Sequence, residues 1–413
     1  MAFQKSVLHL GISVSECFLH CERWYYYNIM IKAYLIGETK VVGNDNLYLV
    51  VMTHEEISEV EEYIDLIPTL DMLYYDTETF LIPIKEVSLM TNEIRWAVLG
   101  TGVIANEMAQ ALAKNGRRIS AVGNRTYSKA VDFAKKYDIP KVYDDFNDMF
   151  ADDEIDVIYI TTPHNTHKDF IKKALNGGKH VFVEKSITLN SDELAEVNEL
   201  AKEKNLIVAE AMTIYHMPIY KKLKEIMDSG KLGRVNLITM NFGSFKDYDM
   251  KNRFFNKNLA GGAMLDIGVY ALSFIRWFFD SKPELLKSEF NPAPTGVDES
   301  SVFILKNKES QMATVALSLH SKQPKRGMVS CEKGYIEVME YPRAWEAKIT
   351  YVDGETETIK EGIHEDALSY ELDDMEKAIQ GDLSVVHADY TQDVMEIMTA
   401  LRNEWNIKYP EEM

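Results

Sequence analysis

The chain has 413 residues, of which 46% are hydrophobic and 27% are charged, and these values exclude wholesale disorder, collagen-like repeats and coiled-coil composition. At roughly 150 residues per domain, this length predicts two or three domains rather than one. The net charge of −20 would repel nucleic-acid phosphates and anionic membrane surfaces, so neither is expected as a partner.

Cysteine usage and hydropathy predict the compartment. The three cysteines, Cys17, Cys21 and Cys331, are too few for a disulfide framework and are typical of a reducing environment. Cys17, His20 and Cys21 have no second ligand pair at zinc spacing, so no metal is expected. The apolar stretch 7–14 is interrupted by His9, Gly11 and Ser13, so it makes a poor signal peptide. No uninterrupted apolar run is long enough to span a bilayer. We therefore expect a soluble, cytoplasmic protein.

Residues 1–89 differ in charge from the rest of the chain. They contain five basic and fourteen acidic residues, so they carry −9 of the net charge and the other 324 residues carry −11. Apolar patterns predict strands at 30–36 and 47–52, a helix from Thr53 to Ile64 opened by a capping box, and one or two strands within 70–87. A small, partly flexible α+β extension is expected. Two roles remain open for this extension. It is either a regulatory or assembly module, or a neighbouring reading frame joined to a protein that works without it.

From residue 92 onward, short apolar strands alternate with amphipathic helices, which predicts a parallel sheet with crossover helices. Helices between the strands are expected to end at Gly116 and at Gly177-Gly178. The predicted strands are Ile94–Leu99, Arg118–Val122, Val157–Thr161, His180–Val183 and Leu206–Ala209. Five such strands within about 115 residues predict a doubly wound α/β sheet, the Rossmann fold.

The first turn of this sheet is a glycine-rich loop. It has the sequence Gly100-Thr101-Gly102-Val103-Ile104-Ala105, and it precedes the apolar helix 104–114. Glycines at the first and third positions permit a sharp turn and let the backbone approach a pyrophosphate, which the helix N-terminus stabilises. The strand before the loop and the helix after it favour a dinucleotide site over an ordinary turn.

The end of the second predicted strand bears on the choice of dinucleotide. An acidic residue there would bind the ribose 2′-hydroxyl of NAD, but the sequence reads Asn124-Arg125-Thr126. An arginine at this turn can pair with a 2′-phosphate and stack on adenine. NADP is therefore favoured, while a merely solvated Arg125 and the use of NAD remain open.

Three later motifs resemble the glucose–fructose oxidoreductase / inositol dehydrogenase / rhizopine catabolism (Gfo/Idh/MocA) oxidoreductases. They are the runs Thr161–His167, Gly178–Ser186 and Gly261–Tyr270, and Ile407–Pro410 closes the pattern. Their order and spacing are similar to the family's over residues 92–413. The resemblance implies a Rossmann domain at 90–212 and a C-terminal α/β domain at 213–413. The open mixed sheet of the second domain would pair subunits into a homodimer or homotetramer, and its other face would contribute to the active site.

The resemblance makes Lys185 the candidate catalytic lysine, at the C-terminal end of a predicted strand, where open α/β sheets bind ligands. Asp266 and Tyr270 lie four residues apart, so they share a face if 264–278 is helical. Tyrosine stands where many relatives have histidine, as in the branch similar to dimeric dihydrodiol dehydrogenase. A phenol titrates near pH ~10, so Tyr270 would need the Lys185 ammonium to act as a base. Asp266 is expected to orient the substrate or the lysine.

The remaining site residues are expected around this centre. Arg253 lies on a loop before the glycine pair and is a candidate for binding substrate hydroxyls or carboxylates, or else a structural salt-bridge residue. Of His164 and His167, one is expected to line the nicotinamide pocket and the other to pack. Ser186 replaces the family's usual proline, which leaves the local backbone open. The predicted cofactor-binding set is Gly100, Thr101, Gly102, Val103, Ile104, Asn124, Arg125, Thr162, Pro163, His164, His167, Glu184 and Lys185.

These residues together predict an NADP(H)-dependent oxidoreductase that acts on a secondary alcohol of a sugar, polyol or cyclic diol. Tyr270 would take the hydroxyl proton as hydride leaves for the nicotinamide, and Lys185 would hold the oxygen. The alternatives are a nicotinamide-binding sensor that has lost chemistry and an NAD-dependent sugar or inositol dehydrogenase. Retention of Lys185, Asp266 and Tyr270 argues against the sensor. The substrate itself is not predicted, because specificity lies in loops that no motif encodes.

Overall fold

The computed structural model describes residues 48–53, 73–74, 79–84 and 94–413. The chain divides into two compact units, Met1–Glu93 and Ile94–Met413. In the first unit, an antiparallel sheet has the order β1-β3-β2. Its strands are β1 (Tyr48–Thr53), β2 (Leu73–Tyr74) and β3 (Thr79–Ile84).

Two of the strand predictions for the first unit are confirmed. β1 corresponds to the strand predicted at 47–52, and β2 and β3 lie within the predicted 70–87. The strand predicted at 30–36 and the helix predicted to follow Thr53 lie outside the described residues. Cys17 and Cys21 lie there as well, so only Cys331 is described, as a free thiol.

The second unit begins with a parallel sheet of six strands in the order β6-β5-β4-β7-β8-β9. The strands are β4 (Trp96–Leu99), β5 (Ala121–Gly123), β6 (Lys141–Tyr143), β7 (Val157–Ile160), β8 (His180–Glu184) and β9 (Val208–Ala211). The helices are α1 (Val103–Lys114), α2 (Tyr127–Tyr137), α3 (Phe146–Ala151), α4 (His167–Asn176) and α5 (Ser191–Lys204). The predicted doubly wound Rossmann sheet is confirmed.

The central strands are buried on both faces, as their continuous apolar sequences require. Every residue of β4 and β7 is buried. The prediction missed β6, because this short strand at the sheet edge is only half-buried and has no apolar run. Since the strand order reverses between β4 and β7, the carboxyl ends of these two strands flank the crevice where such sheets bind ligands.

A second sheet, of eight strands, follows in the order β11-β12-β13-β10-β14-β15-β16-β17. Its strands are β10 (Val235–Gly243), β11 (Glu284–Pro292), β12 (Asp298–Lys306), β13 (Met312–Ser318), β14 (Gln323–Cys331), β15 (Gly334–Met339), β16 (Glu346–Tyr351) and β17 (Thr356–Lys360). The pair β10–β13 is parallel and the remaining pairs are antiparallel. The predicted open mixed sheet is confirmed.

Helices cover one face of this second sheet. They are α6 (Thr213–His216), α7 (Pro218–Asp228), α8 (Val269–Phe278) and α10 (Ala388–Glu404), whereas α9 (Ala367–Ile379) packs most of its apolar residues into the Rossmann core. The alternation along β12 shows the two faces, because Phe303 and Leu305 are buried in the core whereas Val302 and Ile304 are exposed. The other face of the sheet is therefore left uncovered by residues 94–413.

The segment predicted as one helix over 264–278 is divided in two. Met264–Gly268 forms a π-helical turn, and α8 continues from Val269. A Cβ at Gly268 would lie 2.7 Å from the Met264 sulfur and 3.0 Å from Leu317 Cδ1, so glycine permits this close packing. The larger stretch Lys257–Phe278 is long and apolar enough to span a membrane by composition, but 83% of its most apolar window is buried within the fold. Such burial is typical of a core helix.

Helix α9 and Arg343 connect the C-terminal domain to helix α1 of the Rossmann domain and to Arg117, which follows α1. α9 packs against α1, and Arg117 at the end of α1 pairs with Asp373 at 2.7 Å and with Glu376 at 2.6 Å. Arg343, which follows β15, pairs with Glu107 of α1 at 2.8 Å. The helix that follows the glycine-rich loop is therefore held from both domains.

Candidate active site

The glycine-rich loop leaves an open anion site at the start of α1. Gly100 has φ +113°, and a Cβ there would lie 2.4 Å from Thr161 Oγ1, so only glycine fits. At Gly102, by contrast, no atom lies within 4 Å of the Cβ position. No side chain caps α1 and no acidic residue lies in its first turn. Free backbone N–H groups beside open space fit the pyrophosphate of a dinucleotide.

The predicted adenosine end lies beside this loop. Asn124 Nδ2 donates to Thr101 Oγ1 at 2.7 Å, and Asn124 Oδ1 accepts from the Thr126 backbone N–H at 2.8 Å. These bonds fix the turn that carries Arg125. The guanidinium of Arg125 is exposed and makes no ion pair within the described part of the chain. It is therefore available to an anionic ligand.

The ring nitrogens of the two predicted histidines lie within hydrogen-bonding distance of backbone carbonyl oxygens. His167 Nδ1 lies 2.9 Å from the Ser186 carbonyl oxygen and its Nε2 lies 2.8 Å from that of Thr162. His164 Nε2 lies 3.1 Å from the Lys185 carbonyl oxygen. Burial lowers the pKa of His164 to about 3, so its ring is neutral. The two rings therefore contact the backbone of Lys185 and Ser186, and His167 is fully buried.

The backbone left open by Ser186 is defined in the structure. The Lys185–Ser186 peptide bond is cis. Ser186 Oγ donates to the Leu265 carbonyl oxygen at 2.9 Å. The end of β8 is thereby tied to the π-helical turn.

The structure brings together the side chains that were predicted as catalytic. Lys185 Nζ donates to the Asp266 carbonyl oxygen at 2.7 Å and lies 3.5 Å from the Asp266 carboxylate. The same ammonium lies 4.8 Å from the centroid of the Tyr270 ring. Arg253 Nη1 donates to Asp266 Oδ1 at 3.2 Å. Lys185, Asp266, Tyr270 and Arg253 therefore form one cluster, which we call the catalytic cluster.

The protonation of this cluster differs from the sequence-based expectation. Burial opposes ionisation of Asp266, but the charges of Lys185 and Arg253 prevail and lower its pKa. Burial raises the pKa of Tyr270 well above 10, and the charge of Glu184 raises it further. The Lys185 ammonium lies 4.8 Å from the centroid of the phenol ring, but burial dominates, so the net shift of the Tyr270 pKa is upward. At neutral pH the cluster therefore combines an anionic Asp266 with a protonated Tyr270.

Sequence reasoning named Glu184 as a cofactor contact but missed the buried Glu371, and the charges of both act on Tyr270. The hydroxyl of Tyr159 on β7 donates a hydrogen bond to the carboxylate of Glu184. Burial raises the pKa of Glu184. Glu371 on α9 is buried, and its Oε1 has no hydrogen-bond partner among the described residues. Burial raises the pKa of Glu371, and the charge of Glu184 adds to this effect. A glutamate on the apolar face of an amphipathic helix was the signal available in the sequence.

The family models match most of the second unit. Residues 94–212 match the model described as "Oxidoreductase family, NAD-binding Rossmann fold", and residues 220–337 match the "GFO/IDH/MocA C-terminal domain". Residues 28–92 match a domain of unknown function.

Curated relatives are similar over the same region. The trans-1,2-dihydrobenzene-1,2-diol dehydrogenase of Xenopus laevis is 30% identical over 264 residues, which cover 63% of this chain and 79% of the relative. The enzyme of the same name from Bos taurus is 30% identical over 266 residues, which cover 63% and 78%.

Solved structures share the fold. A 3-ketoreductase from Actinomadura kijaniata in complex with NADP and TDP-benzene superposes with a TM-score of 0.68 at 20% identity, covering 76% of this chain and 98% of its own. An aldose-aldose oxidoreductase from Caulobacter crescentus gives 0.69 at 21% identity, with the same coverage. At these identities the similarity concerns the fold.

Proposed function

The chain belongs to the Gfo/Idh/MocA family of NAD(P)-dependent oxidoreductases acting on CH–OH groups, and on that premise we propose that it uses NADP(H) on a sugar, polyol or cyclic diol. The observation that carries the proposal is the catalytic cluster at the carboxyl edge of the Rossmann sheet, where Lys185 directly follows β8. A secondary alcohol or its carbonyl would lie between the cluster and the bound nicotinamide. The bound cofactor would donate or accept the hydride.

The protonation states favour carbonyl reduction at neutral pH. A phenol whose pKa is raised remains protonated, so Tyr270 is available to donate its proton to the carbonyl oxygen as hydride reaches the carbon. The Lys185 ammonium stabilises the negative charge that develops on that oxygen. The Asp266 carboxylate holds Lys185 and Arg253 in position. Tyr270 then regains a proton from solvent, and oxidation of the alcohol would use the same residues in reverse.

NADP(H) is favoured by Arg125 and by the absence of a carboxylate in the 124–126 turn. Replacing Arg125 with aspartate is expected to weaken NADPH binding about 50-fold, because a charge-assisted contact with the 2′-phosphate becomes a repulsion. NADH affinity should change by no more than about twofold, since NADH has no such phosphate. Titration of cofactor fluorescence measures both affinities.

The control for Arg125 is an arginine near the N-terminal end of β5, the strand that Arg125 follows. Arg118 is an exposed arginine that precedes β5, and its side chain is 67% exposed. Arg118→Asp applies the same charge reversal away from the carboxyl edge of the sheet, so both affinities should stay within about twofold of wild type. Equal losses of NADH and NADPH affinity in Arg125→Asp would remove the basis of the NADP proposal.

The free face of the eight-stranded sheet supports a homodimer or homotetramer. Apolar side chains stand exposed on adjacent strands of this face: Val302 at 55% and Ile304 at 40% on β12, and Met312 at 43% on β13. The register places Ile304 opposite Thr314 and Lys306 opposite Met312. A contiguous exposed apolar patch is typical of an interface. We therefore propose that a second copy of the chain covers it.

Replacing Ile304 with lysine is expected to dissociate the oligomer. A two-fold interface would bury two unpaired charges, so the dissociation constant should rise by about 100-fold or more. Light scattering after size exclusion measures the mass. The control, Val352→Lys, introduces the same charge at an exposed position between β16 and β17 and should leave the mass unchanged. A monomeric wild type, or an undiminished mass in Ile304→Lys, would contradict the proposal.

A further inference from the structure

Positive charge accumulates on the substrate side of the catalytic cluster. Lys246 lies on the chain that leaves β10, and its Nζ is 4.4 Å from the centroid of the Phe254 ring. The guanidinium carbon of Arg253 is 4.2 Å from the same centroid. The two cations therefore share one aromatic ring, and Arg253 also donates a hydrogen bond to Asp266.

A third cation, Lys325, approaches from β14. Its Nζ is 5.5 Å from the centroid of the Phe242 ring, and that ring lies 6.1 Å from the ring of Tyr270. The catalytic cluster thus contains two basic side chains, Lys185 and Arg253, and two more, Lys246 and Lys325, lie beside it.

The carboxylates that pair with these cations leave Lys246 without a partner. Asp266 is shared between Lys185 at 3.5 Å and Arg253 at 3.2 Å, and Lys325 pairs with the exposed Glu340 at 3.0 Å. The ammonium of Lys246 has no ion pair or hydrogen bond within residues 94–413. The unpaired charge of Lys246 contrasts with the net charge of the whole chain, which is −20.

The surroundings of Lys246 make the unpaired charge costly. Burial lowers the pKa of Lys246, and the neighbouring charges of Arg253, Lys325 and Lys185 lower it further against the opposing effect of Asp266. A cation that is partly withdrawn from water and lies among other cations gains most from an anion placed beside it. A neutral hydroxyl would leave this repulsion in place.

We propose that the substrate carries an anionic group, a carboxylate or a phosphate, that binds between Lys246 and Arg253 while its reacting carbon lies at Lys185 and Tyr270. This inference rests on the proposed oxidoreductase function and specifies its substrate class. The Arg253 side chain is 54% exposed, so an incoming ligand can reach it. Its planar guanidinium can bind either anion through two hydrogen bonds while Lys246 adds a point charge.

A matched substrate panel tests the proposal on the full chain with NADPH and NADP⁺. Each neutral aldose, ketose or polyol is compared with its carboxylate and with its monophosphate. At least one anionic compound should exceed its neutral counterpart by about tenfold or more in kcat/KM. Preference for the carboxylate or for the phosphate identifies the anion. Neutral compounds that react as well as both anionic forms throughout the panel would overturn the proposal.

Variants assign the effect to Lys246. Lys246→Met should raise KM for the anionic substrate about tenfold or more with little change in kcat, and leave its neutral counterpart within about twofold. Lys246→Arg should restore most of the affinity. The control, Lys251→Met, removes an exposed lysine of the same loop and should change neither substrate. Equal losses for the charged and neutral compounds in Lys246→Met would show a structural role and overturn the proposal.

A binding measurement separates this inference from the proposed function. Inorganic phosphate and D-gluconate are titrated calorimetrically into wild type and Lys246→Met, both saturated with NADPH so that the cofactor site is filled. Binding of either anion that is lost in Lys246→Met would support the anion site even if no compound in the panel were turned over, in which case the proposed function alone would fail. Turnover of neutral compounds without any anion binding would overturn the anion site alone.

Discussion

Replacement of Lys185 by methionine will lower kcat/KM by about 10³ in both directions, which corresponds to about 4 kcal/mol of transition-state stabilisation. The ammonium lies between the Asp266 oxygens and the Tyr270 ring, so it is the fixed positive charge closest to the developing alkoxide. Methionine keeps the length and apolar stem of the side chain. Steady-state kinetics on the best substrate of the panel measures the loss.

Cofactor binding distinguishes lost chemistry from lost folding in this variant. The midpoint of thermal unfolding should remain close to the wild-type value, and NADPH affinity should fall far less than kcat/KM, because most of the predicted cofactor contacts lie in the glycine-rich loop and the Arg125 turn rather than at Lys185. Lys222→Met, at an exposed position of α7 paired with Glu225, serves as a control with full activity. If wild type and Lys185→Met both bind NADPH tightly and neither turns over any compound, the chain is a nicotinamide-binding sensor instead.

Removal of the Tyr270 hydroxyl in Tyr270→Phe is expected to lower kcat by about 10² to 10³ and to change KM by less than about threefold. The phenyl ring retains its contacts with Phe242 and with the Lys185 ammonium. Only the proton donor is lost. A variant that loses affinity but keeps kcat would show that Tyr270 binds the substrate without transferring a proton.

The raised pKa of Tyr270 also sets the direction of the pH dependence. Reduction needs the protonated phenol, so its kcat should show no fall attributable to Tyr270 between about pH 6 and pH 9. Oxidation needs the phenolate, whose fraction rises with pH below the pKa, so its kcat should increase across the same range. In Tyr270→Phe the slope of the oxidation profile should disappear. A wild-type oxidation rate that is flat over this range would contradict the assignment.

The parallel sheet was predictable because its cause is local. Strands buried on both faces are continuous apolar runs, and the helices between them have their own periodicity. The ends of β4, β7 and β8 were therefore predicted to within two residues. β6 was missed because an edge strand of three half-buried residues has no such run. Its position comes from pairing with β5, which the local sequence does not encode.

The catalytic cluster was predicted in its members but not in its geometry. Asp266 and Tyr270 were expected on one face of an α-helix, whereas the structure places Asp266 in a π-helical turn whose carbonyl oxygen accepts from Lys185. The sequence did not show that burial would raise the pKa of Tyr270 despite the ammonium that lies 4.8 Å from the centroid of its ring. Neither the width of a helical turn nor the burial of a hydroxyl follows from spacing alone.

The sequence by itself determined the Rossmann sheet, the glycine-rich loop and the candidate catalytic residues, since each depends on residue types at fixed local spacing, and the open mixed sheet was implied by the family resemblance of its motifs. Tertiary structure alone decided how these parts interact. Lys185 meets Asp266 across 81 positions of the chain, and Lys246 joins Arg253 at the Phe254 ring. Protonation and unbalanced charge depend on distance and on exclusion of water. Both of these arise only when segments remote in the sequence pack together.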